Sequence, residues 1–398
     1  MRILRYTLLA ALGSVALVRA DEPKPDTPVL TLPGRVVVKT DGKEVGELSG
    51  RTIAVAYSSD GKRLAAVLSN MGSELAKHPN VLRYNSLTAK DLPAASFALK
   101  LWDTRDGKEL RDQIDGFPAG VAAFSHDGKQ LVIAYSGGLP PGDEIPSENT
   151  RLWEVEAGKK LLSLKGQEQQ IESLALSSNG KRIAAGGATG GTKIKVWDAK
   201  TGKELYAFGG LSGEAFCMAF SSDDKRLAVG TRNFADQISS GGIRGEVHLF
   251  DLTTGKDVAT WKPHGQYVRT LAYSPDGKQL ALGLNAPGTG VKKEAAVKVC
   301  DAETGRELLS LPDQGEVWRQ AQHLVFSPNS RRLAVVLSEL SEEGKTAVKV
   351  WDATTSKLLR TLPLPVGEVF DCCVAFAPDG ARLAVGDSRG VTVWEIGP

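Results

Sequence analysis

The sequence contains few of the residues that build metal centres and disulfide frameworks. Its 398 residues include five histidines and four cysteines. No two of the histidines have the spacing of metal ligands, and four cysteines are too few to hold together a chain of this length. We therefore expect neither a zinc-stabilised nor a disulfide-stabilised fold, and no cofactor.

Catalytic signatures are missing as well. The sequence has no His-Glu-x-x-His motif, no phosphate-binding glycine loop followed by lysine, and no Gly-x-Ser-x-Gly elbow. The glycine-rich stretch at residues 186–191 falls in a turn between two predicted strands, so it is not a nucleotide loop. The chain is predicted not to be an enzyme.

The chain also lacks a strong net charge, because its formal charge is only +2. Binding to a phosphate backbone requires a basic surface, so nucleic acid is not an expected partner.

The N-terminus resembles a secretory signal. Arg2 and Arg5 precede an apolar run at residues 6–18, which is too short to span a bilayer comfortably. Val18 and Ala20 are the small residues that a signal peptidase recognises. We predict a signal peptide at residues 1–20, followed by a proline-rich linker at residues 21–34. The alternative is an uncleaved membrane anchor.

Removal of this segment takes away three arginines and leaves 46 basic against 47 acidic side chains. The mature chain would then carry no membrane span. Its predicted destination is the periplasm or cell envelope, with the extracellular space as the alternative.

One phrase recurs seven times along the rest of the chain. A short apolar strand leads into a Ser-Pro-Asp-Gly-like turn, which is followed by Lys or Arg, any residue, and Leu-Ala. Proline, aspartate and glycine in this order favour a tight hairpin turn. The turns begin at Ser58, Ser125, Ser177, Ser221, Ser274, Ser327 and Ala377.

A second phrase follows each turn. It alternates apolar and polar residues, as a half-buried strand does, and ends in Trp-Asp or a variant before a Thr-Gly-Lys-like turn. We expect the acidic residue to cap that turn through backbone amides. The second phrase ends at Trp102, Trp153, Trp197, Phe250, Cys300, Trp351 and Trp394, each with the acidic residue after it.

These paired phrases resemble the WD40-repeat family over residues 35–398. The resemblance implies an exported, bacterial-type, all-β protein: a seven-bladed β-propeller with four-stranded antiparallel blades in a single domain. In that family each repeat supplies strands a, b and c of one blade and strand d of the blade before it. Since no strand d follows the last Trp-Glu, we expect the N-terminal strand at residues 43–48 to complete the last blade. Residues 35–38 would pair outside it as a fifth strand.

The sequence departs from the family in one respect. The Gly-His that many of these repeats carry before strand a, as part of a buried hydrogen-bond network, is essentially absent. We therefore expect the blades to be held together by aliphatic packing.

The spacing of the two phrases shows where the chain carries its extra residues. From each turn to its own Trp-Asp landmark the separation varies between 17 and 44 residues, whereas from that landmark to the next turn it varies only between 23 and 27. The variation lies in the connection from strand b to strand c. Insertions on one face of a repeat array usually mark its binding face, although long surface loops are also tolerated as decoration.

The largest insertion covers residues 69–96 and mixes apolar with basic side chains. Its candidate binding residues are Leu75, His78, Leu82, Arg83 and Tyr84.

The rim of the central channel on the same face is the other candidate site. Strand a begins there, and tryptophan and arginine are common interface anchors. The alternative is a solvated rim around a water-filled channel. The candidate partner-binding residues of the rim are Glu172, Arg269, Gln322, Trp318, Arg319, Asp371 and His264.

The resulting functional hypothesis is a non-catalytic protein–protein interaction scaffold of the cell envelope, expected to be a monomer, that binds through the face with the long b–c loops. The alternative is a propeller enzyme or small-ligand binder that uses the channel mouth. That alternative requires Glu172, Arg269 and His264 to converge. A third possibility is a supporting part of a larger assembly with no separable ligand.

Overall fold

The computed structural model describes most of the chain. None of the described residues lies in a helix, which confirms the all-β prediction. The described residues are 28–33, 35–40, 43–49, 51–69, 97–115, 119–135, 148–165, 170–187, 194–233, 244–263, 267–285, 296–311, 320–338, 346–364 and 372–397.

The described residues form thirty strands. In chain order they are β1 (Pro28–Pro33), β2 (Arg35–Thr40), β3 (Lys43–Ser49), β4 (Arg51–Tyr57), β5 (Arg63–Ser69), β6 (Phe97–Asp103), β7 (Glu109–Asp115), β8 (Val121–Phe124), β9 (Gln130–Ala134), β10 (Thr150–Glu154), β11 (Lys159–Leu164), β12 (Ile171–Leu176), β13 (Arg182–Gly187), β14 (Ile194–Asp198), β15 (Glu204–Phe208), β16 (Glu214–Phe220), β17 (Arg226–Arg232), β18 (Val247–Asp251), β19 (Lys256–Trp261), β20 (Tyr267–Tyr273), β21 (Gln279–Asn285), β22 (Val297–Asp301), β23 (Glu307–Leu311), β24 (Gln320–Phe326), β25 (Arg332–Ser338), β26 (Thr346–Asp352), β27 (Leu358–Pro363), β28 (Cys373–Phe376), β29 (Arg382–Asp387) and β30 (Gly390–Glu395).

These strands form antiparallel sheets of four, as the sequence predicts for a propeller. Four sheets contain consecutive strands: β4–β7, β8–β11, β12–β15 and β16–β19. Strands β20–β23 and β24–β27 form two further groups of four, joined into one eight-stranded sheet by the single pair Asn285 and Gln320. The last sheet has the order β1-β30-β29-β28.

The N-terminal pairing differs from the prediction. Strand β1, not residues 43–48, is the fourth strand of the last sheet, with Leu32 opposite Val391. Strand β3 instead pairs with β2 in a separate two-stranded sheet. Strand β1 lies inside the segment predicted to be a linker. Its prolines stand at its two ends on an edge strand, where the ladder tolerates them, and Leu32 is buried beside Val391 and Val393.

The seven turns are built as the sequence predicts, with one exception. In six of them the serine hydroxyl donates to the Asp or Asn two residues later and accepts from the backbone N–H five residues later. At Ser274 these distances are 2.6 Å to Asp276 and 2.9 Å from Gln279. The fourth position has the positive φ that the turn needs. Five turns have glycine there, which reaches this φ without steric cost, with +73° at Gly277, whereas Asp224 and Ser330 adopt it in the other two. The exception is Ala377, which has no hydroxyl to make these bonds.

In the five repeats where the residue after the landmark is aspartate, it caps the next turn, which confirms the prediction for those repeats. Asp352 accepts from the backbone N–H groups of Thr354 and Thr355, each at 2.8 Å, and from the Thr354 hydroxyl. Hydrogen bonds of this kind favour the ionised carboxylate. They lower the pKa of Asp103, Asp251 and Asp352 to about 2.

Apolar side chains pack between neighbouring sheets in seven clusters, as expected for a chain without the Gly-His network. In the first of these along the chain, Phe97 of β6 meets Trp153 of β10 edge to face, with ring centroids 5.6 Å apart. The seventh cluster joins the first sheet to the last, through Val55 and Cys373.

Repeated ion pairs also tie the third strand of a sheet to the fourth. Lys100 and Glu109 lie 2.9 Å apart, and only 4% of the Lys100 side chain is exposed. The same spacing of nine residues recurs in the ion pairs Lys195–Glu204 and Lys298–Glu307, at 2.9 and 3.0 Å. At the same spacing, His248 Nδ1 lies 3.1 Å from Asp257 Oδ2. The repeat motifs of the sequence did not reveal these pairs.

We predict opposite stability changes at two equivalent turns. Ser274→Ala removes both hydroxyl bonds and should lower the free energy of unfolding by about 1 kcal/mol. Ala377→Ser supplies the missing hydroxyl between Asp379 and the Arg382 amide and should raise it by a similar amount. Urea unfolding followed by tryptophan fluorescence measures both. Ser310→Ala, on the exposed strand β23, is the control, and an effect there as large as at Ser274 would show that the turn bonds are unimportant.

Candidate functional site at the bulged strands

The first strand of each sheet contacts the first strand of the next, in the sequence β4, β8, β12, β16, β20, β24, β28 and back to β4. These seven are called the inner strands below. Each inner strand pairs antiparallel with the second strand of its own sheet, so the start of the inner strand lies beside the end of that second strand. The long b–c connection departs from this end. This edge is called the loop edge.

A β-bulge interrupts five inner strands near the loop edge. In each, one residue is skipped in the pairing register, four positions before the end of the strand. A bulge leaves its extra residue unpaired and redirects its side chain, so these five residues differ from the rest of their strands. They are Ile53, Glu172, Phe216, Arg269 and Gln322. Three of them are residues that the sequence predicted for the rim.

Phe216 is the centre of a cluster that connects two of the predicted residues. The guanidinium carbon of Arg232 lies 4.0 Å from the centroid of its ring, and that of Arg269 lies 5.8 Å away. Such cation–π contacts hold an arginine against an aromatic face. Tyr267 packs edge-on against the same ring at 6.0 Å.

Arg232 also forms the main ion pair of this region. Its Nη2 and Nε donate to Oε2 of Glu214 at 2.6 and 3.1 Å, and both side chains are about one-fifth exposed. Charge-assisted bonds of this length are strong and directional. Glu214 and Arg232 are cross-strand partners at the ends of β16 and β17, so the pairing register itself brings them together.

Glu172 faces this pair from the neighbouring sheet. Its carboxylate accepts a hydrogen bond from Gln170 at 2.9 Å. Burial raises the pKa of Glu172, the positive charge of Arg232 opposes that rise, and the negative charge of Glu214 adds to it. Glu172, Glu214, Phe216, Arg232 and Arg269 therefore form one group, which we call the bulge cluster.

Gln322 has a different environment. Its amide donates to the Ser338 hydroxyl at 3.0 Å and accepts from the backbone N–H of Cys372 at 3.4 Å. It therefore links two sheets and has both ends of its amide engaged. The structure brings Glu172 and Arg269 into one cluster, with Gln322 outside it.

The remaining predicted site residues lie outside the described part of the chain. At the rim these are Trp318, Arg319, Asp371 and His264, and in the largest insertion Leu75, His78, Leu82, Arg83 and Tyr84.

Sequence reasoning missed Glu214, Phe216 and Arg232. Phe216 occupies the same position before its strand end as Glu172, Arg269 and Gln322, so the register alone indicated it.

Two of the cysteines, Cys217 and Cys300, are poor nucleophiles. Burial raises the pKa of Cys300 to about 11 and that of Cys217 further still, so the reactive thiolate is suppressed at neutral pH. Within the described ranges, histidine, cysteine and carboxylate side chains form no group of three or more arranged to hold a metal ion. The same ranges contain no helix long and apolar enough to cross a membrane.

Comparison with known proteins supports the WD40 resemblance. Residues 158–198 and 255–284 match the family described as "WD domain, G-beta repeat". The chain is 27% identical over 168 residues to the small ribosomal subunit protein RACK1y of Oryza sativa subsp. japonica, covering 41% of this chain and 44% of that protein.

Two other relatives match over similar lengths. The small ribosomal subunit protein RACK1 of Medicago sativa is 27% identical over 163 residues, which are 37% of this chain and 44% of that protein. The WD repeat and SOCS box-containing protein 1 of Homo sapiens is 32% identical over 126 residues, or 31% of this chain and 26% of that protein. The chain thus spans less than half the length of each of these relatives.

The bulge cluster makes a prediction about pH. Arg232→Met leaves Glu172 and Glu214 without their shared cation and should lower the free energy of unfolding at pH 7 by roughly 2 kcal/mol. The pKa of Glu172, already raised by burial, should rise further. Protonation would then favour the folded state, so the deficit should shrink as the pH falls from 7 towards 5.

Denaturant unfolding of both proteins at pH 7, 6 and 5 tests this expectation. Arg306→Met, at an exposed arginine beside β23, is the matched control. A deficit that does not change with pH, or one equal to the control, would mean that Arg232 does not offset the carboxylates.

Proposed function

We propose that the chain is an exported, bacterial-type WD40-repeat protein whose seven groups of four strands form one closed seven-bladed ring at residues 28–398. Four observations support this: seven paired turn and Trp-Asp phrases, seven inter-sheet clusters, the return of contacts from β28 to β4, and the pairing of β1 with β30. A sheet that closes on itself leaves no long open edge.

We further propose that this ring is a non-catalytic, monomeric scaffold that binds a protein partner through its loop edge. The observation that carries the proposal is the bulge cluster. Five inner strands carry a bulged residue at the edge from which the long b–c connections leave. In the bulge cluster, two arginines lie over one aromatic ring. Arginine and aromatic side chains are enriched at protein interfaces.

The relatives agree with a role in assembly. The names of two of them place those proteins in a small ribosomal subunit, and a third carries WD repeats together with a SOCS box. WD40 repeats are generally interaction platforms without catalytic activity. The suppressed thiolates of Cys217 and Cys300 favour the same assignment here.

The alternative use of this channel mouth, as an enzyme or small-ligand site, requires convergent free groups. The Glu172 carboxylate instead faces Arg232 and Gln170, and Arg269 lies against Phe216. These contacts favour a surface with internally paired charges, which suits a protein partner better than a catalytic centre.

A binding experiment tests the scaffold proposal. The chain from Asp21 to Pro398 is immobilised and exposed to an envelope extract of its source organism. We expect a retained protein to be lost when residues 70–95 are replaced by Gly-Asn, and to be weakened at least tenfold by Arg269→Ala, because both changes alter the loop edge.

Leu205→Ala, on the exposed outer strand β15, is the control and should retain the partner. Circular dichroism checks that each variant is folded. Equal retention by all variants, or no retention above a blank column, would refute binding through the loop edge.

The proposed cell-envelope location rests on the signal-like N-terminus. Expression of the full chain in a bacterial host should yield a periplasmic product whose intact mass corresponds to a chain starting at Asp21. Alanine at position 20 is part of the recognition pattern, so Ala20→Asp should block processing, with Thr27→Asp, beyond the cleavage site, as the comparison. An unprocessed chain in the membrane fraction would support the anchor, and an unprocessed cytosolic chain would refute export.

A further inference from the structure

The end of the inner strands opposite the loop edge surrounds a cavity. Its main part has a volume of about 520 Å³ and is lined by inner strands of six sheets. An adjoining part of about 430 Å³ reaches β16 of the remaining sheet and shares Phe124, His126 and Tyr273 with the first. The two parts form one space at the Ser-Pro-Asp-Gly turns, which we call the turn-side cavity.

Small residues create this space. The position just before the end of the inner strand is alanine in six of the seven, and these side chains line the cavity. The residues are Ala56, Ala123, Ala175, Ala219, Ala272 and Ala375. The seventh is Val325. No large side chain stands at this position, so the axis stays open, while the strand-end residues, such as Tyr57 and Phe326, pack between the sheets.

The walls are mainly apolar, with Ile53, Val55 and Leu174 among them. Asp127 is the only carboxylate or permanent cation among the described lining residues of the main part. Three prolines, one in each of three turns, and the exposed His126 stand at the opening. This composition does not match a charged ligand. The volume lies within the range of sites that hold small organic molecules.

One polar group in the cavity has a defined hydrogen-bonding role. His323 Nδ1 accepts from the backbone N–H of Val374 at 3.4 Å. Burial lowers the pKa of His323 to about 4, so the ring is neutral at neutral pH. A neutral imidazole that accepts at Nδ1 carries its proton on Nε2. His323 lines the cavity and therefore has one N–H to donate.

We propose that the turn-side cavity binds a small, neutral, largely apolar molecule whose carbonyl or ether oxygen accepts a hydrogen bond from His323 Nε2. The site is at the opposite edge of the sheets from the bulge cluster and does not depend on the protein-binding role proposed there. The alanines leave space for the ligand, the apolar walls favour an apolar ligand, and His323 donates a hydrogen bond to its oxygen.

The neutral fluorescent ketone 6-propionyl-2-dimethylaminonaphthalene is a suitable probe, because its emission shifts to the blue in apolar surroundings. Titration of the mature chain should give a saturable shift with one probe per chain and a micromolar dissociation constant. The anionic probe 1-anilinonaphthalene-8-sulfonate should bind at least tenfold more weakly. No saturable shift, or tighter binding of the anion, would overturn the proposal.

Variants that fill the cavity locate the site. Ala272→Leu and Ala123→Leu should each weaken ketone binding at least tenfold, whereas Ala207→Leu, on the exposed face of β15, should leave it unchanged. Ala375→Leu serves if either variant fails to fold by circular dichroism. Equal binding by cavity and control variants would place the probe elsewhere and refute the site.

His323→Phe tests the hydrogen bond. It should weaken binding of the ketone about tenfold and leave binding of N,N-dimethyl-2-naphthylamine, which lacks the carbonyl, unchanged. Equal effects on the two probes would refute the role of His323. Gel filtration tests another occupant: a dimer that Ala272→Leu converts into a monomer would show that a second copy of the chain fills the cavity, and the proposal would be wrong.

Discussion

Apolar packing between neighbouring sheets is the constraint on which the rest of the structure depends. A four-stranded sheet has two apolar faces and cannot bury them alone, so each must lie against a neighbour. Strand β5 shows this directly, because its six residues from Leu64 to Ser69 are all buried, on both faces. Only the outermost strands, such as β15, expose most of their side chains. Since the last cluster joins β28 and β30 to β4, the first sheet packs against the last as well as against the second.

That constraint explains which features the sequence could predict. The Ser-Pro-Asp-Gly turns and the Asp caps are local, since every group that defines them lies within five residues along the chain. Their recurrence predicted the number of repeats, and the resemblance to the WD40 family implied the four-stranded antiparallel sheets. The strand that completes the last sheet was predicted wrongly, because two N-terminal strands compete for the same place beside β30 and tertiary packing decides between them. Residues 43–48 resemble an outer strand in sequence, yet β1 brings Leu32 to the open face of the last sheet while β3 pairs with β2.

The candidate site was predictable to a similar extent. The register of the inner strands indicated Glu172, Arg269 and Gln322, and all three are bulged residues. Which of these residues contact one another was not predictable from the register, because the contacts run through Phe216 and through Arg232 on the second strand of the sheet. The ion pairs between the third and fourth strands could not be predicted for the same reason. Lys100 and Glu109 look like ordinary strand-surface charges until the pairing register shows that the ammonium is almost completely buried. A buried charge of this kind is tolerated only with its partner.

The same seven strands produce two chemically different ends. Four positions before the strand end, five of these strands carry a bulged residue, and its type varies from charged and amide to aromatic and aliphatic. One position before the strand end, the side chain faces the turn-side cavity, and a large residue there in every strand would fill this shared space. Alanine at six of the seven positions leaves the cavity open. The polar loop edge and the apolar turn edge can therefore vary independently, because the packed strands between them hold both in place.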